Sequence, residues 1–200
     1  MTQSDYFVRY EERIFFFIEC FSRTLKDVEV AKKGQWKEIR QEYLLAEDAN
    51  LLQFIERSLA GNIPDKYQYM ICKTIPEKMA REIEEIVGFS VDGYKNMISA
   101  SRVKHIFKRH GVEGCADNSL ENIHDMARIG YIVRNYDNLV AGKKKVNEYK
   151  NKDNTSAQTI VLQKELEDEF YYVVEAVPDS ATKALYVVSV YKNKKNTLLK

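Results

Sequence analysis

The hydrophobic pattern of this chain changes its period once, near Gly130, and that change fixes the fold class. Before it, apolar residues recur every three or four positions, as in Phe7, Ile14, Phe17, Ile18, Phe21 and Leu25, the spacing that lines one face of a helix. The same spacing runs through Ile39, Tyr43, Leu44, Leu51, Leu52, Ile55 and Leu59 and stops at Gly61. After Gly130, residues 131–140, 157–166, 169–177 and 184–192 are rich in Val, Ile, Tyr and Thr and read as strands. Helices followed by strands in series predict an α+β fold, with helices covering one face of a four-stranded antiparallel sheet. Only 3 Pro and 8 Gly punctuate the 200 residues, so the elements should be long.

Within this frame the sequence predicts a helical hairpin over residues 6–59 as an N-terminal extension (1–62), and a second domain over 67–200. Residues 67–74 read as a short strand, and Pro76 opens a helix that ends near Gly88. Ser99 or Ser101 caps the next helix, which runs to His110 with Gly111 in the left-handed position. A further helix begins at Asn118 or Ser119 and reaches about Ile129. The lysine- and asparagine-rich stretch 142–156 reads as a mobile connection, and 178–183 as a hairpin loop. The apolar run of residues 14–18 is far short of the roughly 20 residues of a membrane span, and Met1 leads into polar residues, so a soluble cytoplasmic protein is expected. Cys20, Cys72 and Cys115 are odd in number and form no CxxC pair, which points to reduced thiols.

A net charge of +1 conceals an asymmetry. Up to Gly93 there are 13 Lys and Arg against 17 Asp and Glu; after it there are 18 against 13. Residues 94–112 carry Lys95, Arg102, Lys104, Lys108 and Arg109 with no acid. Such a stretch suits a polyanion, above all nucleic acid. The lysines at 143–145 and at 192, 194 and 195 form two further clusters, the last reading as a solubilising tail.

All three histidines, His105, His110 and His124, lie within one short stretch. At 100° per residue, Val103, Ile106, Phe107 and His110 share an apolar helix face, while Arg102, His105 and Arg109 share the opposite, basic one. His110 is thereby either a packed histidine at a helix end or a proton-transfer group in a cleft between helix and sheet. Alternation aligns Lys164 with Ile160, Leu162 and Leu166, either as an edge guard or as a cation for a phosphate. In the last strand Ser189 and Tyr191 share a face with Leu185 and Val187. His105, His110, Cys115 and His124 are acceptable zinc ligands, but five residues of helix separate the first two by about 140°, and no metal is expected. Neither a Walker loop nor GxGxxG is present.

The segment Ile98-Ser99-Ala100-Ser101-Arg102-Val103-Lys104-His105-Ile106-Phe107-Lys108-Arg109-His110-Gly111 resembles the "HI..RHG" helix of phage-associated nucleases of the barnase, EndoU, colicin and RelE type. The later strands are similar to that family's lysine-bearing strand (Ile160 to Lys164), its "yvve" strand (Tyr171 to Glu175) and its final S/T-x-Y strand (Ser189 to Tyr191). The resemblance spans roughly residues 73–194. It implies a metal-independent endoribonuclease, without cofactor, found in phage proteins and toxin cassettes. His105, Arg109, His110, Lys164, Ser189 and Tyr191 would be its catalytic set, with Arg102, Lys104 and Lys108 on the nucleic acid. RNA, with tRNA as one candidate, is the implied partner, with a cognate inhibitor or a phage structural protein as further ones. A non-catalytic nucleic-acid-binding or structural phage protein on the same scaffold is the alternative.

Overall fold

The computed structural model describes residues 46–167 and 169–194. Every described residue belongs to one compact unit that begins after residue 42. The predicted helix over 6–25 and the start of the one over 36–59 lie outside the described residues, as do Cys20 and Lys195.

Helix α1 (Ala49–Leu59) begins where the Asp48 carboxylate accepts the N–H groups of Asn50 and Leu51. Placed by the sequence in the extension, it buries Leu51, Phe54 and Ile55 in the one core that the described residues share. Strand β1 (Gln68–Cys72) and helix α2 (Glu77–Val87) follow, α2 ending at Gly88 with φ 77°. Strand β2 (Lys95–Ser99) runs straight into helix α3 (Ala100–His110), whose first turn is capped by Ser99 Oγ accepting from the Arg102 N–H. Two short helices, α4 (Ile123–Ala127) and α5 (Ile129–Asn135), stand where one helix and the start of a strand were predicted. Asn122 and Asp125 close a capping box that delays α4. Ile129, Ile132 and Val133 are β-branched, yet they fall at i, i+3 and i+4 and are all fully buried, so packing overrides their strand propensity.

Strands β3 (Asn138–Ala141), β4 (Val146–Lys150), β5 (Ser156–Leu166), β6 (Glu169–Val177) and β7 (Ala184–Lys194) complete the sheet. It has seven strands rather than four, in the order β1-β2-β7-β6-β5-β3, with β4 also on β5. All pairs are antiparallel except β2 with β7. The three strands beyond the four are five residues each: β1 stands where residues 67–74 read as a short strand or extended segment, β2 was not foreseen, and β4 lies in the stretch read as a mobile connection. No described helix is long and apolar enough to cross a membrane.

The two faces of the sheet differ. Tyr171, Val173 and Glu175 on β6 point toward the helices, beside Leu162 on β5 and Val190 on β7 in the pairing register. This helix face holds an ionic cluster: Lys192 Nζ lies 2.8 Å from Glu169 and 3.5 Å from Asp125, and the Tyr171 hydroxyl donates to Asp125 at 2.8 Å. Lys192 is 5% exposed, a buried cation and not the solvated tail residue expected from sequence.

The other face carries Tyr172, Ser189, Tyr191 and Tyr186. Their alignment depends on a bulge: Val174 pairs with Ser189 but Glu175 pairs with Val187, leaving Val188 as the extra residue. Strict alternation put Ser189 and Tyr191 beside Leu185 and Val187; the bulge turns them to the opposite face, beside Tyr186.

Candidate active site

The site forms where α3 meets the tyrosine face of β7. Pairing between β2 and β7 covers only Lys95 to Met97 and Ala184 to Tyr186, and α3, continuing from β2, borders β7 beyond that point. Val103 and Ile106 anchor the helix in the core at 0% exposure, which fixes the direction of His110 one turn later. His110 is itself buried, at 8%.

The turn after the helix supplies the partner of His110. Gly111 has φ −75°, not the left-handed value expected, and glycine is required there for space: a Cβ would meet the Phe107 carbonyl oxygen at 2.5 Å. At Gly114 a Cβ would meet the carbonyl oxygens of Arg109 and Asp117 at 2.4 and 2.5 Å. These two glycines let the chain fold back over the helix end, where the N–H groups of Cys115, Ala116 and Asp117 donate to the carbonyls of Lys108 and Arg109. The carboxylate of Asp117 arrives at His110 as a result.

His110 is held from both sides. Its Nδ1 lies 2.8 Å from Asp117 Oδ2, and its Nε2 lies 3.1 Å from Ser189 Oγ. An ionised carboxylate only accepts, so Nδ1 carries a proton; in the neutral ring, Nε2 then accepts from the Ser189 hydroxyl. Partial burial works to raise the Asp117 carboxyl, but hydrogen bonds from Ser119 and His110 outweigh it and hold its pKa below the ordinary carboxylate range. The Tyr191 ring lies 5.8 Å from the imidazole and stacks on Tyr172 at 4.9 Å. Burial, then Tyr172 and Asp117, push the Tyr191 phenol upward, so it stays protonated near neutrality. A base with an oriented lone pair and the hydroxyl bonded to it thus lie beside the ring of a protonated phenol.

Further toward the start of β7, Tyr186 stacks on Tyr149 of β4 at 4.3 Å and 10°. Arg102, near the start of α3, pairs with Glu148 beside it. Arg102 and His110 are eight residues apart on one helix, about 12 Å along its axis, so α3 carries a cation at one end and an imidazole at the other.

The remaining sequence candidates are distributed as follows. His105, Lys108 and Arg109 lie exposed on the outer side of α3. Burial, then Arg102, Arg109, His110 and Lys108, lower the His105 pKa from its ordinary value. Lys104 pairs with Asp65 at 2.7 Å. Lys164 does not join His110 and Ser189: its register partner is Tyr171 on the helix face, and its ammonium lies 3.1 Å from Asp137. The face that alternation gave it is the helix face, where Asp137 is its neighbour. On α4, His124 pairs with Glu47, separate from the other two histidines. Asp117 and Tyr149 went unremarked in the sequence, and Tyr172 entered only within the "yvve" strand; the Gly-x-x-Gly spacing directly after His110 was the available signal for Asp117.

A family model described as phage-Barnase-EndoU-ColicinE5/D-RelE like nuclease3 matches residues 73–200. That span begins at the end of β1 and includes every residue of the His110 constellation. Neither a curated protein nor a solved structure matches the chain.

Proposed function

The chain belongs to the phage-associated nuclease family of the Barnase, EndoU, ColicinE5/D and RelE type, and on that premise we propose that it is a metal-independent endoribonuclease that attacks through the RNA 2′-hydroxyl. The observation that carries the reading is the line Asp117, His110, Ser189, closed by hydrogen bonds of 2.8 and 3.1 Å on a face lined with tyrosines. In this mechanism His110 Nε2 takes the 2′-hydroxyl proton as the 2′-oxygen attacks phosphorus. Asp117 offsets the charge that develops on the imidazolium. Ser189 Oγ turns from Nε2 to donate to a non-bridging phosphate oxygen. The bond from phosphorus to the 5′-oxygen breaks, and Tyr191 delivers its phenolic proton to the departing oxygen. The products are a 2′,3′-cyclic phosphate and a 5′-hydroxyl. Proton return from the imidazolium to the neighbouring phenolate restores both groups.

The exposed row of His105, Lys108 and Arg109 supports a role in drawing the phosphate backbone onto α3. Lys164, held on the other face by Asp137, takes no step. Phage or toxin context, a cytoplasmic site of action and an inhibitor partner are extensions of the family reading.

The test is cleavage of labelled RNA in EDTA by wild type and His110→Ala, at protein concentrations well above those needed for binding. Salt-sensitive binding with intact RNA would instead favour a binding module on a nuclease scaffold.

A further inference from the structure

The Arg102 end of the track is occupied by the chain itself, and the occupant has the chemistry of a nucleotide. Glu148 places a carboxylate on the Arg102 guanidinium, the same charge-assisted pairing that a phosphate makes. The next residue, Tyr149, lays its ring on Tyr186 at 4.3 Å and 10°, the geometry of a base on an aromatic platform. The Arg102 side chain is 13% exposed, so this long cation is enclosed and aimed, whereas its Glu148 partner is 50% exposed.

The segment that supplies these groups is a short, partly exposed strand off the main path of the sheet. β4 pairs with β5 only at Val146 with Ala157 and Lys150 with Ser156, with a register irregularity between. Each of its five residues is at least partly exposed. It is joined to β3 through Gly142 and three consecutive lysines, Lys143 to Lys145. Tyr186 stands on the same face as Ser189 after the bulge, about two pleat positions or 7 Å away, which is adjacent to the proposed proton-transfer groups.

We infer that Arg102 and Tyr186 form a nucleotide subsite for one phosphate and one base of single-stranded RNA, and that β4 is a strap whose Glu148 and Tyr149 fill this subsite until RNA displaces them. A single strand is required because the base must leave any helix to stack on Tyr186. The lysines at the base of the strap are then positioned to follow the backbone. This inference rests on the ribonuclease reading for the identity of the ligand, but its binding readout is separate from cleavage.

The experiment measures affinity of the full chain for a fluorescein-labelled 2′-O-methyl decaribonucleotide, which cannot be cut through the 2′-oxygen, by polarisation, and cleavage of the unmodified strand in parallel. Emptying the subsite with Glu148→Ala plus Tyr149→Ala tightens single-strand binding about fivefold, the lower end of one base stack. Glu148→Gln, a conservative change at an exposed position, tightens it by a smaller factor, and Tyr186→Leu or Arg102→Gln in the emptied background cancels the gain. A duplex of the same sequence gains nothing. Unchanged or weakened binding in both Glu148 variants, with wild type still cutting RNA, overturns the strap and leaves the nuclease reading standing. Tightened binding with no cleavage by any variant keeps the strap and removes the nuclease reading. Absence of both binding and cleavage removes both.

Discussion

Glu175 is fully enclosed in the core, and replacing it with Gln should stabilise the protein above neutral pH. The carboxyl sits on the helix face of β6, across from Ile160 and Val187, at 0% exposure. Burial pushes its pKa from 4.5 up to about 7, with the Asn96 hydrogen bonds acting in the opposite direction. Asn96 Nδ2 lies 2.9 and 3.0 Å from the two carboxylate oxygens, while Asn96 Oδ1 is buried with no hydrogen-bond partner among the described residues. A protonated carboxyl removes this mismatch after an amide turn, its O–H donating to Oδ1 and its carbonyl accepting from Nδ2. The folded state therefore binds the Glu175 proton more tightly than the unfolded chain does. Stability from this group is fully present below about pH 4.5 and is lost as pH rises through about 7. At about 1.4 kcal/mol per pH unit, the shift corresponds to roughly 3 kcal/mol. Gln reproduces the neutral pairing at every pH. Urea unfolding of both proteins between pH 3.5 and 8.5 should give curves that converge at the acidic end and separate by about 3 kcal/mol at the alkaline end, with Gln the more stable. Parallel curves, or a Gln variant less stable at pH 8.5, would refute the reasoning.

Further outcomes follow from the site and its support. Asp117→Asn frees the His110 tautomer, and kcat should fall about 10²- to 10⁴-fold with RNA binding by polarisation little changed. Tyr191→Phe keeps the stack on Tyr172 and loses the acid; kcat should drop by about 10²-fold or more on RNA with an ordinary 5′-alkoxide leaving group, and recover with an activated one. Asp125→Ala removes the buried carboxylate shared by Arg128, Lys192 and the Tyr171 hydroxyl and should cost about 3–5 kcal/mol in denaturant unfolding.

The α+β class and the helix bearing the histidines were legible because both depend on local periodicity, and Ser99 lies at the cap that residue type predicts. What periodicity cannot carry is register. Val188 alone reverses the face of Ser189 and Tyr191, and nothing in the run from Ala184 to Tyr191 marks it as a bulge. Lys164 shows the same limit: its alignment with Leu162 and Leu166 was correct, but the face they share is the helix face, and only the pairing with Tyr171 reveals it. Asp117 was missed because its nearness to His110 is made by two close backbone approaches at Gly111 and Gly114, which leave no charge or hydrophobic pattern. Strands β2 and β4 are too short to announce themselves by alternation, and α5 is a helix made of strand-forming residues held by burial.

The most direct test of the central claim is product analysis of a single-stranded RNA and its counterpart with 2′-deoxyribose at the cleaved position, both in EDTA, with wild type and His110→Ala. The account predicts a 2′,3′-cyclic phosphate from the RNA with wild type, no cut at the 2′-deoxy position, and loss of the product with His110→Ala. Equal cleavage of the 2′-deoxy strand, abolition by EDTA, or full activity of His110→Ala would contradict it.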